Sequence, residues 1–380
     1  MDPGAVTLDD LAGPDAARVL AGLRAVAPVV RVPVLDGWLV TGHAAAEAVM
    51  RDAVTYTVDD PRFSTAQVVG PSMLSLDGEV HRRHRAPFVE PFRPRQVEER
   101  FDAPVRTLAA ELVAQLRPRG RGDLRREVAG PLAVAVVAGV LGLPPTDAGT
   151  VLGWYAAIVR AVSAITAGER PDADAGAAVS ELAQAVTVAM NNGDSLLGAA
   201  VGNLTQDEIV SNAAVMMFGG IETTEAMIAN VFAHLLADDA LRAQVTADPG
   251  LDAAVVEESL RLEPAAAVVD RYTTADAVLA GVPIPRGKLV RVSLAGANRD
   301  PEVFADPDRF DPGRGDLRRQ VAFARGPHVC VAMDLARLEG RRAVRAALDG
   351  LPGLAADGPA VARGLVFRKP DAVPARWDAA

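Results

Sequence analysis

The sequence contains one cysteine, Cys330, among its 380 residues. A single cysteine cannot pair within the chain, so a disulfide framework is excluded, and so is a structural zinc site built from CxxC pairs. Lysine is nearly absent, because only Lys288 and Lys369 occur and arginine carries almost all of the positive charge. The net charge of −10 argues against nucleic acid as a partner, since binding to its phosphate backbone needs basic surfaces.

Long apolar runs are also missing. A membrane-spanning helix needs about 20 apolar residues, and the longest uncharged stretch of interest, residues 209–221, is too short and includes a glycine pair. Three aspartates lie within the first ten residues, a pattern that is wrong for a secretory signal. The sequence therefore predicts a cytoplasmic protein with no membrane partner, in which the cysteine stays reduced.

Half of the residues are hydrophobic and 23% are charged, which is typical of a chain that folds around a large core. Helical patterns dominate from residue 79 to about residue 353. Short β-like runs at 29–34 and 38–41 surround a turn, and others lie near 272–274, 278–279 and 289–292. Residues 57–78 and 300–320 are predicted to be long loops. We therefore expect a mainly α fold with small β-sheets, in one domain over residues 1–380.

One helix has clear boundaries in the sequence. Thr205 and Glu208 form a capping box, in which the threonine hydroxyl and the glutamate carboxylate satisfy free backbone N–H groups. The apolar run that follows continues to residue 236, which predicts a helix roughly 47 Å long at 1.5 Å per residue. Gly219 and Gly220 interrupt it, and each costs about 1 kcal/mol relative to alanine in a helix. Such glycines in a buried helix indicate that another group approaches the backbone closely or that the helix is locally distorted.

The cysteine lies in a loop rich in glycine and proline, directly before a predicted helix that starts near residue 333. Phe323, Gly326 and His328 precede Cys330 in this loop. Unpaired N–H groups at a helix start favour a thiolate. The alternative is that Cys330 is a small buried apolar residue, as many free cysteines are.

Three further pairs of polar residues have the spacing of contacts on a helix, or lie side by side. These pairs are Glu222 with Thr223, Glu258 with Arg261, and His81 with Arg85. The Glu258 and His81 pairs alone are equally typical of a solvated helix face. For Glu222 and Thr223 a solvated face is a weaker alternative, because the apolar residues before and after them indicate a helix buried nearly all round.

In their order and spacing, these motifs together resemble the cytochrome P450 family of the soluble bacterial type, from about residue 20 to residue 377. The family pattern Phe-Gly-x-Gly-x-His-x-Cys-x-Gly is matched by the four residues of the cysteine loop named above. The sequence departs from this pattern at Ala324 and Ala332, where the family usually has glycine. We expect alanine there to tighten the loop without abolishing metal ligation.

The resemblance implies haem b as the cofactor and Cys330 as the thiolate ligand of its iron. It implies that Gly219 leaves room beside the long helix, and that Glu222 and Thr223 deliver protons during dioxygen activation. The residues implied to contact the haem, four of them as partners of its propionates, are His81, Arg85, Arg271, His328, Phe323 and Gly326. A buried structural network is implied for Glu258, Arg261 and Arg314.

The implied activity is that of a monooxygenase which hydroxylates or epoxidises a mainly apolar small molecule, as in the tailoring of secondary metabolites. Electrons would come from NAD(P)H through a ferredoxin reductase and a ferredoxin. The residues implied to line the substrate pocket are Val68, Val69, Met73, Met216, Phe218, Ala265, Val268, Val366 and Phe367. The arginines implied to surround the ferredoxin side are Arg82, Arg83, Arg93, Arg95, Arg318, Arg319 and Arg325.

Three other activities stay open for the same fold. They are direct use of hydrogen peroxide, oxidative coupling such as aryl joining or nitration, and haem binding without turnover. The intact pair of Glu222 and Thr223 favours a monooxygenase over a binding protein, because a binding protein has no need of a proton relay.

Overall fold

The computed structural model describes residues 1–143, 148–166, 170–171, 174–192 and 195–379. Helices dominate these residues, numbered α1 to α14 in chain order. They are Leu8–Ala12, Ala16–Arg24, His43–Arg51, Ser64–Val69, Gly78–Val89, Pro94–Leu116, Gly130–Leu141, Ala148–Thr166, Asp174–Met190, Gln206–Ala237, Asp239–Ala247, Asp252–Leu262, Leu294–Ala297 and Met333–Gly350. No helix in this part of the chain is long and apolar enough to cross a membrane.

The strands are short and lie at the edges of the helical body. Numbered β1 to β12, they are Val29–Val32, Gly37–Val40, Tyr56–Thr57, Arg121–Asp123, Val268–Thr273, Ala277–Leu279, Val282–Ile284, Leu289–Ser293, Ala355–Ala356, Ala362–Arg363, Lys369–Pro370 and Pro374–Arg376. The largest sheet has the order β1-β2-β8-β5-β3, with β2 and β8 parallel and its other neighbours antiparallel. The mainly α architecture with small sheets confirms the predicted fold class.

Several local predictions are confirmed by the backbone. The capping box at Thr205 and Glu208 is present, and α10 runs for 32 residues after it. The strands β1 and β2 pair antiparallel across the predicted turn, where Asp36 is left-handed with φ 46°. The prediction of one uninterrupted loop over residues 57–78 is wrong, because Ser64–Val69 form α4, which packs against α8 and α10. This short helix is stabilised by that packing rather than by its sequence pattern.

The long helix α10 lies at the centre of the main hydrophobic core. It packs against α7, α9, α12 and α14, and most of its side chains are buried. The glycine pair divides into two roles. A Cβ on Gly220 would collide with Val137 of α7, so this glycine permits close helix packing. A Cβ on Gly219 would meet no atom within 4 Å, so Gly219 faces open space. Only Gly219 can therefore leave room for a bound molecule.

Candidate active site

The cysteine loop is held in a tight conformation by its own backbone. The N–H of Cys330 donates to the carbonyl oxygen of Phe323 at 2.9 Å, which closes the loop before α14 begins. Gly326 has φ 73°, and a Cβ at this position would overlap the carbonyl oxygen of Met50. Glycine is therefore required at this position by both conformation and space. Ala324 is also left-handed, with φ 58°, although it carries a side chain.

Cys330 has an exposed side chain, although protein atoms lie densely around it. Burial raises the pKa of the Cys330 thiol, and the N–H of Ala332 and the charges of Arg85 and Arg337 oppose that rise. In the chain alone, the balance of these effects favours the neutral thiol over the thiolate. A bound metal deprotonates a coordinating thiol outright, so a thiolate at this position fits a metal ligand.

Two imidazoles lie against each other beside the cysteine loop. The ring centroids of His81 and His328 are 4.4 Å apart, and both side chains are buried. Nε2 of His328 contacts Oδ1 of Asp77 at 2.8 Å, while Nδ1 of His328 and Nε2 of His81 have no hydrogen-bond partner. Burial lowers the pKa of His81 to about 4, and the neighbouring His328 and Arg85 add to this effect.

Two guanidinium groups complete this cluster. Arg85 follows His81 on α5 and donates through Nη2 to the carbonyl oxygen of Val329 at 2.6 Å. Arg271 on β5 is only 4% exposed and donates through Nη1 to the carbonyl oxygen of Asp270 at 2.7 Å. Within the described ranges, neither guanidinium forms a salt bridge with a carboxylate of the chain. Burial lowers the pKa of both groups.

This donor set fits the haem that the resemblance implies. A haem carries two carboxylates, which need cations and hydrogen-bond donors when buried. Arg271 is a buried cation and Arg85 a half-buried one, and neither has a carboxylate partner in the described residues. The orphaned nitrogens of His81 and His328 are buried beside them. The basic sequence at the start of α5 is therefore not simply a solvated face, because His81 and His84 are both buried.

The polar pair on α10 follows the open glycine. Thr223 donates from Oγ1 to the carbonyl oxygen of Gly219 at 2.5 Å, which leaves its oxygen free to accept. Glu222 is buried, and its Oε1 lies 2.8 Å from Nζ of Lys369 on β11. The two residues that the sequence paired are thus held by different partners, one by the helix backbone and one by a distant strand.

Comparison with known proteins gives the same assignment. The family model for cytochrome P450 matches residues 251–348. The cytochrome P450 monooxygenase PikC of Streptomyces venezuelae is 34% identical, over 94% of this chain and 88% of its own length. The 6-deoxyerythronolide B hydroxylase of Saccharopolyspora erythraea is 30% identical, over 95% of this chain and 96% of its own length.

The chain belongs to the cytochrome P450 family. The structure of CalO2 superposes with a TM-score of 0.88 at 28% identity, covering 100% of this P450 and 99% of CalO2. The structure of P450BioI with a fatty-acid-loaded acyl carrier protein gives 0.88 at 27% identity, covering 98% and 100% of the two chains. This P450 is a monooxygenase with haem b as its cofactor, and bacterial members of the family typically receive electrons from NAD(P)H through redox partners.

The three residues implied as a structural network lie in contact in this P450. Arg261 and Glu258 are fully buried and form a two-pronged ion pair at 2.7 and 2.8 Å. The remaining Arg261 donors bind carbonyl oxygens of residues 298, 307 and 309. Arg314 adds a third contact to Glu258 at 3.0 Å. Every charge in the network has hydrogen-bonded partners, which is the condition under which a buried ion pair is acceptable.

Apart from Val268, the residues implied to line the substrate pocket fall into two groups. Phe218 on α10 meets Phe367 edge to face at 5.5 Å, and backbone hydrogen bonds join the segments of Ala265 and Val366 nearby. A second group belongs to the main core where α4 and the loop after it pack near α10: Val68, Val69, Met73 and Met216. Val268 lies at the start of β5 opposite Ser293 and is buried.

The arginines implied to surround the ferredoxin side are mostly neutralised by the chain itself. Arg82, Arg83, Arg93, Arg95 and Arg325 pair with Glu79, Glu208, Glu90, Glu99 and Glu47, respectively. The side chains of Arg318 and Arg319 form no ion pair with any residue that the structure describes. The excess positive charge on this surface is therefore smaller than the sequence indicated.

Sequence reasoning missed two groups that contact the predicted site. Asp77, which precedes α5, binds His328, and Lys369 binds Glu222. The rarity of lysine distinguishes Lys369 in the sequence, but rarity alone gives no partner.

Proposed function

We propose that this P450 inserts one oxygen atom of dioxygen into a mainly apolar small molecule during secondary-metabolite tailoring. The observation that carries the proposal is the single thiol, Cys330, with half-buried Arg85 next to its loop and buried Arg271 in the same cluster, both without carboxylate partners in the described chain. Relatives support the substrate class. One is named 20-oxo-5-O-mycaminosyltylactone 23-monooxygenase, and a structural neighbour is described as the post-tailoring hydroxylase HmtN of himastatin biosynthesis.

The residues of the cluster divide the work of holding the cofactor. Bound haem supplies the oxidation chemistry on dioxygen. Cys330 provides the thiolate ligand, and a thiolate favours O–O cleavage. Arg85 and Arg271 would neutralise the two propionates, and His81 and His328 would offer ring nitrogens that have no other partner among the described residues. Phe323 and Gly326 shape the loop that presents the sulfur.

Proton delivery belongs to Glu222 and Thr223. Thr223 already donates its own proton to the carbonyl oxygen of Gly219, so its oxygen can accept a hydrogen bond from water beside the helix. Glu222 is a buried carboxylate one residue away and can take up and release a proton. Gly219 supplies the space in which these groups meet a small ligand.

The substrate is recognised mainly by apolar contact. Phe218, Ala265 and Phe367 bring apolar side chains together from the long helix and from two C-terminal segments. Sites of this kind bind apolar molecules and use a few polar groups for orientation. We propose that an apolar part of the substrate packs against this group, where a C–H bond is hydroxylated or a C=C bond is epoxidised.

A ferredoxin and its reductase are the proposed electron donors, with Arg318 and Arg319 available for an acidic partner near the cysteine loop. One structural neighbour was solved with a ligated acyl carrier protein, so a carrier-bound substrate belongs in the same test.

The single domain over residues 1–380 and the cytoplasmic location stay predictions from the sequence.

The test begins with compounds from a library that shift the iron from low to high spin on binding. Each of these compounds is then assayed for monooxygenation, for oxidative coupling and for turnover with peroxide alone. Product formed with NADPH, ferredoxin and reductase supports the proposal. Thr223→Ala should keep the haem and release more peroxide per NADPH. Cys330→Ser should lose the absorption band that the thiolate gives with carbon monoxide, and an unchanged spectrum would refute the assignment of the ligand.

Oxidative coupling is the second candidate function. CxnD, a cytochrome P450 described as forming a C–S bond in chuangxinmycin biosynthesis, superposes with a TM-score of 0.88 at 26% identity over the whole of both chains. Mass spectrometry separates the two reactions, because monooxygenation adds one oxygen atom from ¹⁸O₂, whereas coupling removes hydrogen and adds none. Product with peroxide alone would instead indicate a peroxygenase, and haem binding without turnover would indicate a binding protein.

A further inference from the structure

A lysine joins the proposed relay acid to a second carboxylate on the same face of α10. Nζ of Lys369 lies 2.8 Å from Oε1 of Glu222 and 2.8 Å from Oε2 of Glu225. The lysine side chain is 17% exposed, and the two carboxylates are 8% and 12% exposed. Residues three apart on a helix share a face, so one cation can serve both acids.

The second carboxylate has a partner of its own. Nε of Arg125 donates to Oε1 of Glu225 at 2.9 Å, and Nη1 of Arg125 donates to the carbonyl oxygen of Asp371 at 2.6 Å. Glu225 is thus anchored between two cations, whereas Glu222 pairs with Lys369 alone among the residues that the structure describes. When Glu222 moves, Lys369 therefore keeps a partner in Glu225.

The backbone that carries Lys369 is fixed from both sides. The neighbouring Arg368 is 4% exposed and contacts Glu263 and several carbonyl oxygens. The carbonyl oxygen of Arg368 accepts from Nδ2 of Asn230 on α10 at 3.0 Å. These contacts hold the β11 strand against the long helix, so the lysine meets Glu222 from a rigid support.

We propose that Lys369 is a positioning residue for the proton relay, which holds the carboxylate of Glu222 towards β11 until the acid takes up a proton. The proposal rests on the proposed relay role of Glu222. Lys369 holds the acid in place and transfers no proton. Glu222 takes up a proton from hydronium in the solvent, loses its attraction to the lysine, and passes that proton to a water molecule on the Thr223 side, while Lys369 stays paired with Glu225.

The experiment uses holoenzyme with its electron donors and a compound that shifts the spin state. Lys369→Met removes the charge, Lys369→Arg restores it, and Lys288→Met is the control at the other, exposed lysine. A buried carboxylate that loses its cation is ionised only at higher pH. The acid limb of coupled turnover should therefore move up by about one pH unit in Lys369→Met, since nearby opposite charges cause shifts of about 1–3 units.

Peroxide release per NADPH should at least double in Lys369→Met, while its haem absorption and spin shift stay unchanged. The arginine variant and the control should match the parent. A pH profile that does not move would overturn the proposal, whatever happens to thermal stability.

Two further variants distinguish the possible failures. In Glu225→Gln, Glu222 is the only one of the two carboxylates that remains for Lys369, so the acid limb of coupled turnover should move to lower pH. This shift is opposite in direction to the one expected for Lys369→Met. This variant also keeps the proposal testable if the methionine variant does not fold. If Glu222→Gln changes neither peroxide release nor the solvent isotope effect, the relay itself is refuted. If Glu222→Gln changes both and Lys369→Met changes neither, only the positioning role is refuted.

Discussion

Ala324 and Ala332 both stand where the family pattern of the cysteine loop has glycine, yet their backbones differ. Ala324 has φ 58° and is 7% exposed, whereas Ala332 has φ −101°. Alanine in the left-handed region costs about 1–2 kcal/mol, and glycine avoids this cost. The unfolded chain is more flexible with glycine than with alanine, and this flexibility lowers the free energy of unfolding by about 0.5–1 kcal/mol. Ala324→Gly should therefore stabilise by about 0.5–1 kcal/mol, and Ala332→Gly should destabilise by a similar amount.

Two assays check this difference. Unfolding entropy of about 2.1 cal/mol/K per residue gives ~0.8 kcal/mol/K for 380 residues, so calorimetric midpoints of the two variants should differ by roughly 1–2.5 °C. Local hydrogen exchange is sharper. The Cys330 amide, which donates to Phe323 at 2.9 Å, should exchange about two- to fivefold more slowly in Ala324→Gly, because loop opening costs more.

The control is the spectrum with carbon monoxide, which should stay the same in both variants because neither alters the sulfur. If Ala324→Gly lowers stability as much as Ala332→Gly does, the left-handed strain is not real and the reasoning fails.

Three further predictions follow from buried groups. Arg261→Lys keeps the charge but loses the forked donors, so it should lower the free energy of unfolding in urea by about 3 kcal/mol or more. The control, Arg121→Lys at an exposed ion pair, should change this free energy by less than about 1 kcal/mol. Equal effects would contradict the role of burial. Arg271→Met should lose haem on dialysis, and full occupancy afterwards would show that no propionate needs this cation. Burial lowers the pKa of His234 to about 4, so folding holds this ring neutral and the free energy of unfolding falls as pH drops from about 6.5 towards 4. His234→Phe should remove up to one proton from the slope of unfolding free energy against pH, measured in acid titrations followed by circular dichroism. An unchanged slope would contradict the assignment.

The sequence alone determined the elements that depend on neighbouring residues. The capping box at Thr205 and Glu208 sets the start of α10, and the loop around Cys330 identifies the thiolate ligand before any coordinate is known. Both are local patterns, because caps and turns are built from residues within a few positions of one another. The fold class followed from the same patterns and from the family resemblance.

Tertiary structure decided which partner each charged group has. His328 meets Asp77 across 251 positions of sequence, and Lys369 meets Glu225 across 144. Packing also separated Gly219, which faces open space, from Gly220, which lies against α7. The strength of an ion pair depends on distance and burial, and the packing of remote segments sets both quantities. No short pattern in the chain encodes that packing, so the site's charges could be named from the sequence but not paired.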